Sequence, residues 1–538
     1  MAAGLGRLLR LASCVAVAAA SAEDAAVEGS CPAGGCTAAA GAATAFASKD
    51  VAWRPKTLSV VLPCAGEGEF ALKTARAVAE SVPGGGGGET LSEIIIVDDG
   101  SSPPVASIFP AELQKRYGVR IVRHDKPKGL IQAKAAGASH TTGDVIVFFD
   151  CHVGPQPGWH SAFLKAIAPN YRRIVVPAIT NLDIDTWTQQ NDQVSVNKCY
   201  LTWDADFKWF RSKDDFMPVL SGGLLGISRQ WWQETGGYDS QMENWGGENI
   251  DQSLRTWLCG GEILSVPQAE VAHMWRKPDD PRTQSNYHID VLKTLQNRAR
   301  AAKGWFGNFT FKLDDYPDMQ YIRWHKLDTS EFDAVRERLG CRPFAWFLWR
   351  FRTIYENAGL VPENTFNIRH IKSGKCLTYL GPPGTHPQGQ DKITLTSCGA
   401  DPSKPSMGRS HRDAQRWHRA NQGDRGECCS GYRVWNTDQC LSIAGAVQTH
   451  ICEVSGRMDQ LLRLTTADEA AKGIAPGQLR HPSGMCLVIK NKAIVAERCK
   501  EASSPKVRPV WEITDEKVPR EFELYQQAKL ENPSLFVE

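Results

Sequence analysis

An aspartate and a histidine, Asp150 and His152, stand where a run of β-prone apolar residues, 145–149, stops. The cluster Gly154, Pro155 and Pro157 then breaks the strand. Residues two apart in an extended chain project to the same side, so the carboxylate and the imidazole can act together. If the strand belongs to an open α/β sheet, they lie at its C-terminal edge, where such sheets bind ligands. A hard oxygen beside a borderline nitrogen suits a divalent ion such as Mn²⁺ that also holds phosphate. A lone D-x-H triplet is equally what an ordinary loop looks like, so its neighbours must decide.

Those neighbours supply the elements that would position it. Residues 58–63 read as a strand, 71–82 as a helix, 93–97 and 118–123 as two further strands, and 130–138 as a short helix before the 145–149 run. Strands alternating with helices give right-handed βαβ units and a mainly parallel, Rossmann-like sheet of the α/β class. Three acidic or polar strand ends then share one edge: 63–67, Asp98-Asp99, and Asp150 with His152. Asp98 reads as a turn-capping residue and Asp99 as a base or ribose contact. Downstream, Ser221, Gly222 and Gly223 permit close backbone approach to a ligand. Glu248 and Asn249 open a helix over 250–259, where a carboxylate could serve as a cap. A strand at 266–271 delivers His273, and the polar stretch 278–286 after Arg276 has the character of a movable lid. Periodic residues near 289–295 and the aromatic-rich 331–357 read as packed helices.

Length and composition bound the rest. At 538 residues the chain exceeds one ordinary core, so two or more domains are expected. A formal net charge of +2 supplies no global field for nucleic acid. Arg7 and Arg10 precede a short apolar stretch, 11–20, and Ala20-Ser21-Ala22 looks like a cleavage site. Residues 1–22 therefore read as a secretory signal or signal anchor, leaving a possible membrane anchor at the N-terminus. Residues 23–55, rich in Ala, Gly and Ser, read as a disordered stem. Eight of the sixteen cysteines crowd the C-terminal third, which suggests disulfides and an oxidising compartment.

Seven short motifs in register resemble the polypeptide N-acetylgalactosaminyltransferases. They are Val97-Asp98-Asp99, Gly129-Leu130-Ile131, Asp150-Cys151-His152, Ser221-Gly222-Gly223-Leu224, Gly236-Gly237-Tyr238-Asp239, Trp245-Gly246-Gly247-Glu248-Asn249 and Ala272-His273-Met274-Trp275-Arg276-Lys277. The resemblance implies a GT-A nucleotide-sugar transferase domain over 56–325, a helical connector over 326–364, a ricin-type β-trefoil over 365–515 and a tail over 516–538. It implies Asp150, His152 and His273 as Mn²⁺ ligands, with Asp99 at the uridine. Ser221, Gly222, Trp245, Glu248 and Asn249 would surround sugar and acceptor, Arg276 would reach the diphosphate, and Lys128 would be the basic residue on the donor side. The implied reaction moves N-acetylgalactosamine from UDP-GalNAc to Ser/Thr of a polypeptide or glycopeptide, with retention of configuration, in the Golgi lumen. If the signal is cleaved, secretion follows.

The chain also departs from that family. Pro63-Cys64-Ala65-Gly66-Glu67 stands where an aromatic-His-Asn-Glu run is usual, and the basic residue before Gly129 is displaced, with Pro127 and Lys128 there. These departures keep open a related transferase using another UDP-sugar. A catalytically silent glycan- or protein-binding protein is the alternative from a different class. Cys259 and Cys341 match one family disulfide, while Gln268 occupies one position of the other. In the C-terminal part, Cys-Leu recurs at 376, 440 and 486, each followed by another cysteine, as repeated units around one core would require. One disulfide per repeat is expected. The aspartate that lectin relatives carry after Cys-Leu is replaced by Thr378, Ser442 and Val488, so weakened GalNAc recognition is expected in all three repeats.

Overall fold

A computed structural model describes residues 53–190, 197–277, 279–283, 289–356, 359–385, 390–399, 413–420, 431–452, 458–500 and 508–537. The expected leader and nearly all of the stem lie outside them. No helix among the described residues is long and apolar enough to cross a membrane.

Strands β1 (Leu58–Cys64), β2 (Leu91–Asp99), β3 (Val119–His124) and β4 (Val145–Phe148) form where runs of Val, Ile and Leu allow burial on both faces. Helices α1 (Glu69–Glu80) and α2 (Leu130–Ser139) lie among the crossovers between them. Alternate residues face opposite layers. Val60, Leu62, Ile94, Ile96, Val145 and Val147 pack with Ala71, Ala75 and Val78 of α1. Val61, Ile95, Val97, Ile146 and Phe148 pack with Ile131 and Ala133 of α2. A Cβ at Gly137 would come within 2.3 Å of Val61 Cγ1, so glycine lets α2 lie directly on β1.

Five more elements complete the sheet: β5 (Val153–Pro155), α3 (Trp159–Ile167), β6 (Arg173–Asn181), β7 (Leu225–Ser228) and β8 (Glu262–His273). The strand order is β3-β2-β1-β4-β7-β6-β8-β5. β1 to β4 are parallel to one another, as are β6 and β8, while β7 runs against both β4 and β6. The C-termini of β1, β2, β3, β4, β6 and β8 therefore share one edge, and the reversed β7 begins there. This is a mixed GT-A sheet. Helices α4 (Glu248–Leu258), α5 (Val291–Trp305) and α6 (Phe344–Arg350) pack on the α2 side.

The C-terminal domain is an all-β unit consistent with a β-trefoil. Its core holds Leu377, Leu441 and Leu487, one from each repeat, with Trp417, Leu462 and Trp511. Disulfides Cys376–Cys398, Cys440–Cys452 and Cys486–Cys499 supply the one bridge per repeat that the spacing suggested. The expected 516–538 tail contains a helix, α7 (Arg520–Glu531). It returns to the helical side of the α/β unit, where Tyr525 is fully buried and its hydroxyl donates to Glu356 Oε1 at 2.5 Å.

A polar seam joins the domains. Lys208 pairs with Asp438 at 2.8 Å, Thr385 N donates to Asp204 Oδ2 at 2.8 Å, and the fully buried Lys312 faces Glu521 at 3.4 Å. His418 lines this seam beside Trp203 and Leu360. Burial, then the Arg433 charge, pushes its imidazole down to about 3. An unfolded histidine titrates near ~6.5, so stability is intact above that pH and is lost as pH falls towards 3. Between pH 7 and pH 5 the wild type should lose about 2 kcal/mol more than a His418→Gln variant. Denaturant unfolding of both proteins at the two pH values checks this.

Candidate active site

Two strand pairings bring the ligating side chains together. β5 follows the Asp150-Cys151-His152 corner and pairs antiparallel with the end of β8, with Val153 opposite His273. The amide of Met274 donates to the carbonyl of His152 at 3.1 Å, extending that register by one step. Residues 121 positions apart in sequence, His152 and His273, thus have ring centroids 5.0 Å apart. Asp150 Oδ2 lies 3.2 Å from His273 Nε2. One ligand atom from each of Asp150, His152 and His273 falls within 4.8 Å of the others.

The donor atoms suit a cation. Burial pushes the His273 imidazole below its ordinary value, against the Asp150 hydrogen bond. Burial alone would raise Asp150, but the His273 hydrogen bond and the charges of His273, His152 and Lys134 bring it well below the usual carboxylate range. His152 Nδ1 and His273 Nδ1 are buried without hydrogen-bond partners. One carboxylate oxygen and two imidazole nitrogens around a common point fit a borderline divalent ion such as Mn²⁺.

Around this centre the expected residues take different places. Gly223 passes so close that a Cβ there would lie 2.7 Å from Asp150 Oδ2, which accounts for the glycine requirement. Gly222 has φ of 104° and packs against Asn249, and Ser221 is half-buried beside it. Asn249 Nδ2 donates to Leu220 O at 2.9 Å. Glu248, at the start of α4, is buried with Oε2 unpartnered. Burial raises its carboxyl above the ordinary value, opposed by the Lys134 charge. Trp245 is half-buried on the loop that also meets Gly129, where Ile131 N donates to Asn244 O at 3.2 Å.

Asp99 is buried at 2% exposure, and its two oxygens accept from the Lys128 and Gly129 amides, each at 2.8 Å. His124 Nδ1 adds a third contact at 2.7 Å. Its carboxylate shapes the donor-side turn, while the Lys128 side chain is exposed. Asp98 caps the segment after β2, accepting from Ser101 N and Val105 N. Gly236-Gly237-Tyr238-Asp239 is architectural: Tyr238 packs on Phe148 and Trp232, and Asp239 pairs with Arg300. Of the expected lid, 279–283 are described, and Arg276 donates to Thr283 O at 3.1 Å.

Sequence reasoning missed three features. Lys134, wholly buried on α2, donates to Gly222 O at 2.6 Å and lends positive charge to Asp150 and Glu248. Its signal was register: it lies three residues after Ile131 and three before Gly137, on the face that meets the sheet. Glu67 Oε1 accepts from Arg276 Nη2 at 2.6 Å, and its Oε2 lies 3.4 Å from His152 Nδ1, outside hydrogen-bond geometry. The third is a disulfide between Cys64 and Cys151, both buried.

Sheet order and shared strand edge define a GT-A fold, with the triad at that edge. Residues 59–235 match the family described as "Glycosyl transferase family 2", and 212–277 match the "N-terminal domain of galactosyltransferase". The resemblance to the polypeptide N-acetylgalactosaminyltransferases read from the motifs holds. The chain is 35% identical over 245 residues to Polypeptide N-acetylgalactosaminyltransferase 15 of Homo sapiens, covering 43% of this chain and 37% of that one. It is 32% identical over 250 residues to Inactive polypeptide N-acetylgalactosaminyltransferase-like protein 5 of Macaca fascicularis, covering 43% and 53%. The chain thus spans about half or less of the length of these curated relatives. Among solved structures, GalNAc-T7 with UDP, GalNAc and Mn²⁺ shares the fold, with a TM-score of 0.52 at 23% identity over 86% of this chain and 82% of that one.

Replacing His273 by alanine should weaken Mn²⁺ binding by well over 100-fold. Glu67→Gln, which leaves the triad intact but alters the neighbour of His152, should weaken it by about 10-fold, the range of an outer-sphere partner. Titration of free Mn²⁺ by electron paramagnetic resonance measures both.

Proposed function

We propose that this protein transfers N-acetylgalactosamine from UDP-GalNAc to Ser/Thr hydroxyls of polypeptides, retaining anomeric configuration, within the secretory pathway. The observation that carries the reading is the convergence of Asp150, His152 and His273 on one point. Glu248, Asn249 and Lys134 lie beside it on the sheet edge. The cysteine-rich trefoil with its bridges, and the leader-like N-terminus, support an oxidising, lumenal setting such as the Golgi.

Asp150, His152 and His273 would hold the Mn²⁺, which supplies charge neutralisation to a departing diphosphate. Arg276, carried on the segment leading into the lid, would add a second positive charge. In the present arrangement it is held by Glu67, so reaching a donor requires exchange of that pairing. Gly222 and Gly223 leave room for the sugar, because any side chain there would meet Asn249 or Asp150. Glu248 has one unpartnered oxygen and a raised affinity for its proton. It can orient a hydroxyl of sugar or acceptor by accepting its hydrogen bond. Asp150 itself is committed to the metal point, which favours front-face attack assisted by the leaving phosphate over a covalent carboxylate intermediate.

A related donor is the second reading. Asp99 is taken up by backbone amides and His124, and Cys64-Ala65-Gly66 replace the run that carries a histidine in the family. Trefoil recognition of GalNAc is expected to be weak, because the Thr378 and Ser442 hydroxyls are buried against Thr396 and Asp459.

Incubation of the purified protein with Mn²⁺, a Ser/Thr-rich peptide and a panel of UDP-sugars tests these readings. Peptide modification is expected with UDP-GalNAc. Turnover with another donor alone selects the second reading, and glycan binding without turnover sinks both. Glu248→Gln should lower kcat by about 100-fold, the loss typical of one preorganised electrostatic contact.

A further inference from the structure

The hydrogen-bonded ladder between β1 and β4 stops just short of the metal ligands. Leu58 to Val61 register with Val145 to Phe148, and the last rung is Phe149 N donating to Val61 O at 3.1 Å. Beyond it Asp150 leaves the sheet. β1 itself remains tied to β2 as far as Cys64, which lies opposite Asp98. At that point the disulfide crosses from Cys64 to Cys151, with the two Cα atoms 5.4 Å apart. Cys151 is the residue between Asp150 and His152, and both of its neighbours point ligand atoms at the triad. Cys64 also begins the turn to Glu67, which contacts His152 and Arg276.

We propose that the Cys64–Cys151 disulfide is a positioning element for the divalent-cation site. It takes over from the backbone ladder where the ladder ends and holds Asp150 and His152 at ligand spacing. This rests on the assignment of the triad as a metal site. The physical reason is local. A residue free of the ladder recovers backbone freedom, and two adjoining ligands that wander independently bind a cation less tightly than two that are pre-placed. The β5–β8 pairing restrains the segment from the His152 side only. The disulfide restrains it from the other side, through the buried layer below Asp150.

The test compares the full-length protein with a Cys64→Val/Cys151→Ala double variant, and with a Cys259→Ala/Cys341→Ala control that removes the Cys259–Cys341 disulfide, which the structure also forms. In the double variant the Mn²⁺ dissociation constant should rise by 5- to 30-fold, and amide hydrogen exchange across 150–153 should accelerate. In the control neither should change. An unchanged dissociation constant with unchanged exchange overturns the proposal. If the wild type binds no Mn²⁺, the functional reading fails, and the exchange measurement alone decides whether the bridge orders the segment. Should the double variant not accumulate, peptide mapping of untreated wild-type protein decides. Recovery of Cys64 and Cys151 as one cross-linked species is expected, and recovery as separate alkylated thiols overturns the proposal.

Discussion

Everything at the site depends on one antiparallel register, Val153 of β5 opposite His273 at the end of β8. In an antiparallel pair a slip of one residue turns every side chain to the other face. His273 would then leave Asp150 and His152, and no compensating contact could restore a three-ligand point. The structure secures this register from several sides. β8 is held along its length by β6, and the Met274 amide closes on the His152 carbonyl. Val153 N also donates to Thr74 Oγ1 of α1 at 3.2 Å.

Given that register, burial does the electrostatic work. The triad, Glu248 and Lys134 sit in a low-dielectric layer where charges are felt strongly. Lys134 is a cation whose charge acts on both Asp150 and Glu248. It spends its hydrogen bond on Gly222 O, which also fixes the glycine turn beside the sugar site. Because that turn must pass over Asp150, the two glycines and the lysine form one packing solution. A larger residue at 223 would press on Asp150, and a neutral residue at 134 would remove the positive charge that opposes the effect of burial on Glu248.

Much of this was legible in the chain. The apolar runs of β1, β2 and β4 declared buried strands, the acidic strand ends declared the edge, and the motif order joined His273 to Asp150 and His152. What escaped were features whose cause lies in pairing between distant segments. Residues 173–181 hold Pro177 inside an apolar run, which argues against a central strand. Here β8 shifts register between Val266 and Glu270, directly after the residue opposite Pro177. The unpaired β8 residues include Pro267, so the irregularity falls where both strands carry a proline without an N–H. β7 and β5 are too short for periodicity to reveal, yet one reverses direction in the sheet centre and the other sets the ligand register. The Cys64–Cys151 bridge needed the β1–β4 adjacency, which local pattern alone does not supply.

The return of α7 to the α/β unit alters the mechanics of the trefoil. The β-rich domain leaves the catalytic unit after the α6 region and comes back to it through Tyr525 and Glu521, so it is attached at both its beginning and its end. A body hung from a single tether can swivel in all directions, whereas this one is also fastened along its flank, by Lys208 to Asp438 and by Thr385 to Asp204. The chain therefore carries its second domain less like a pendant than like a wall set against the first, with three separate lines of contact to break before the two could part.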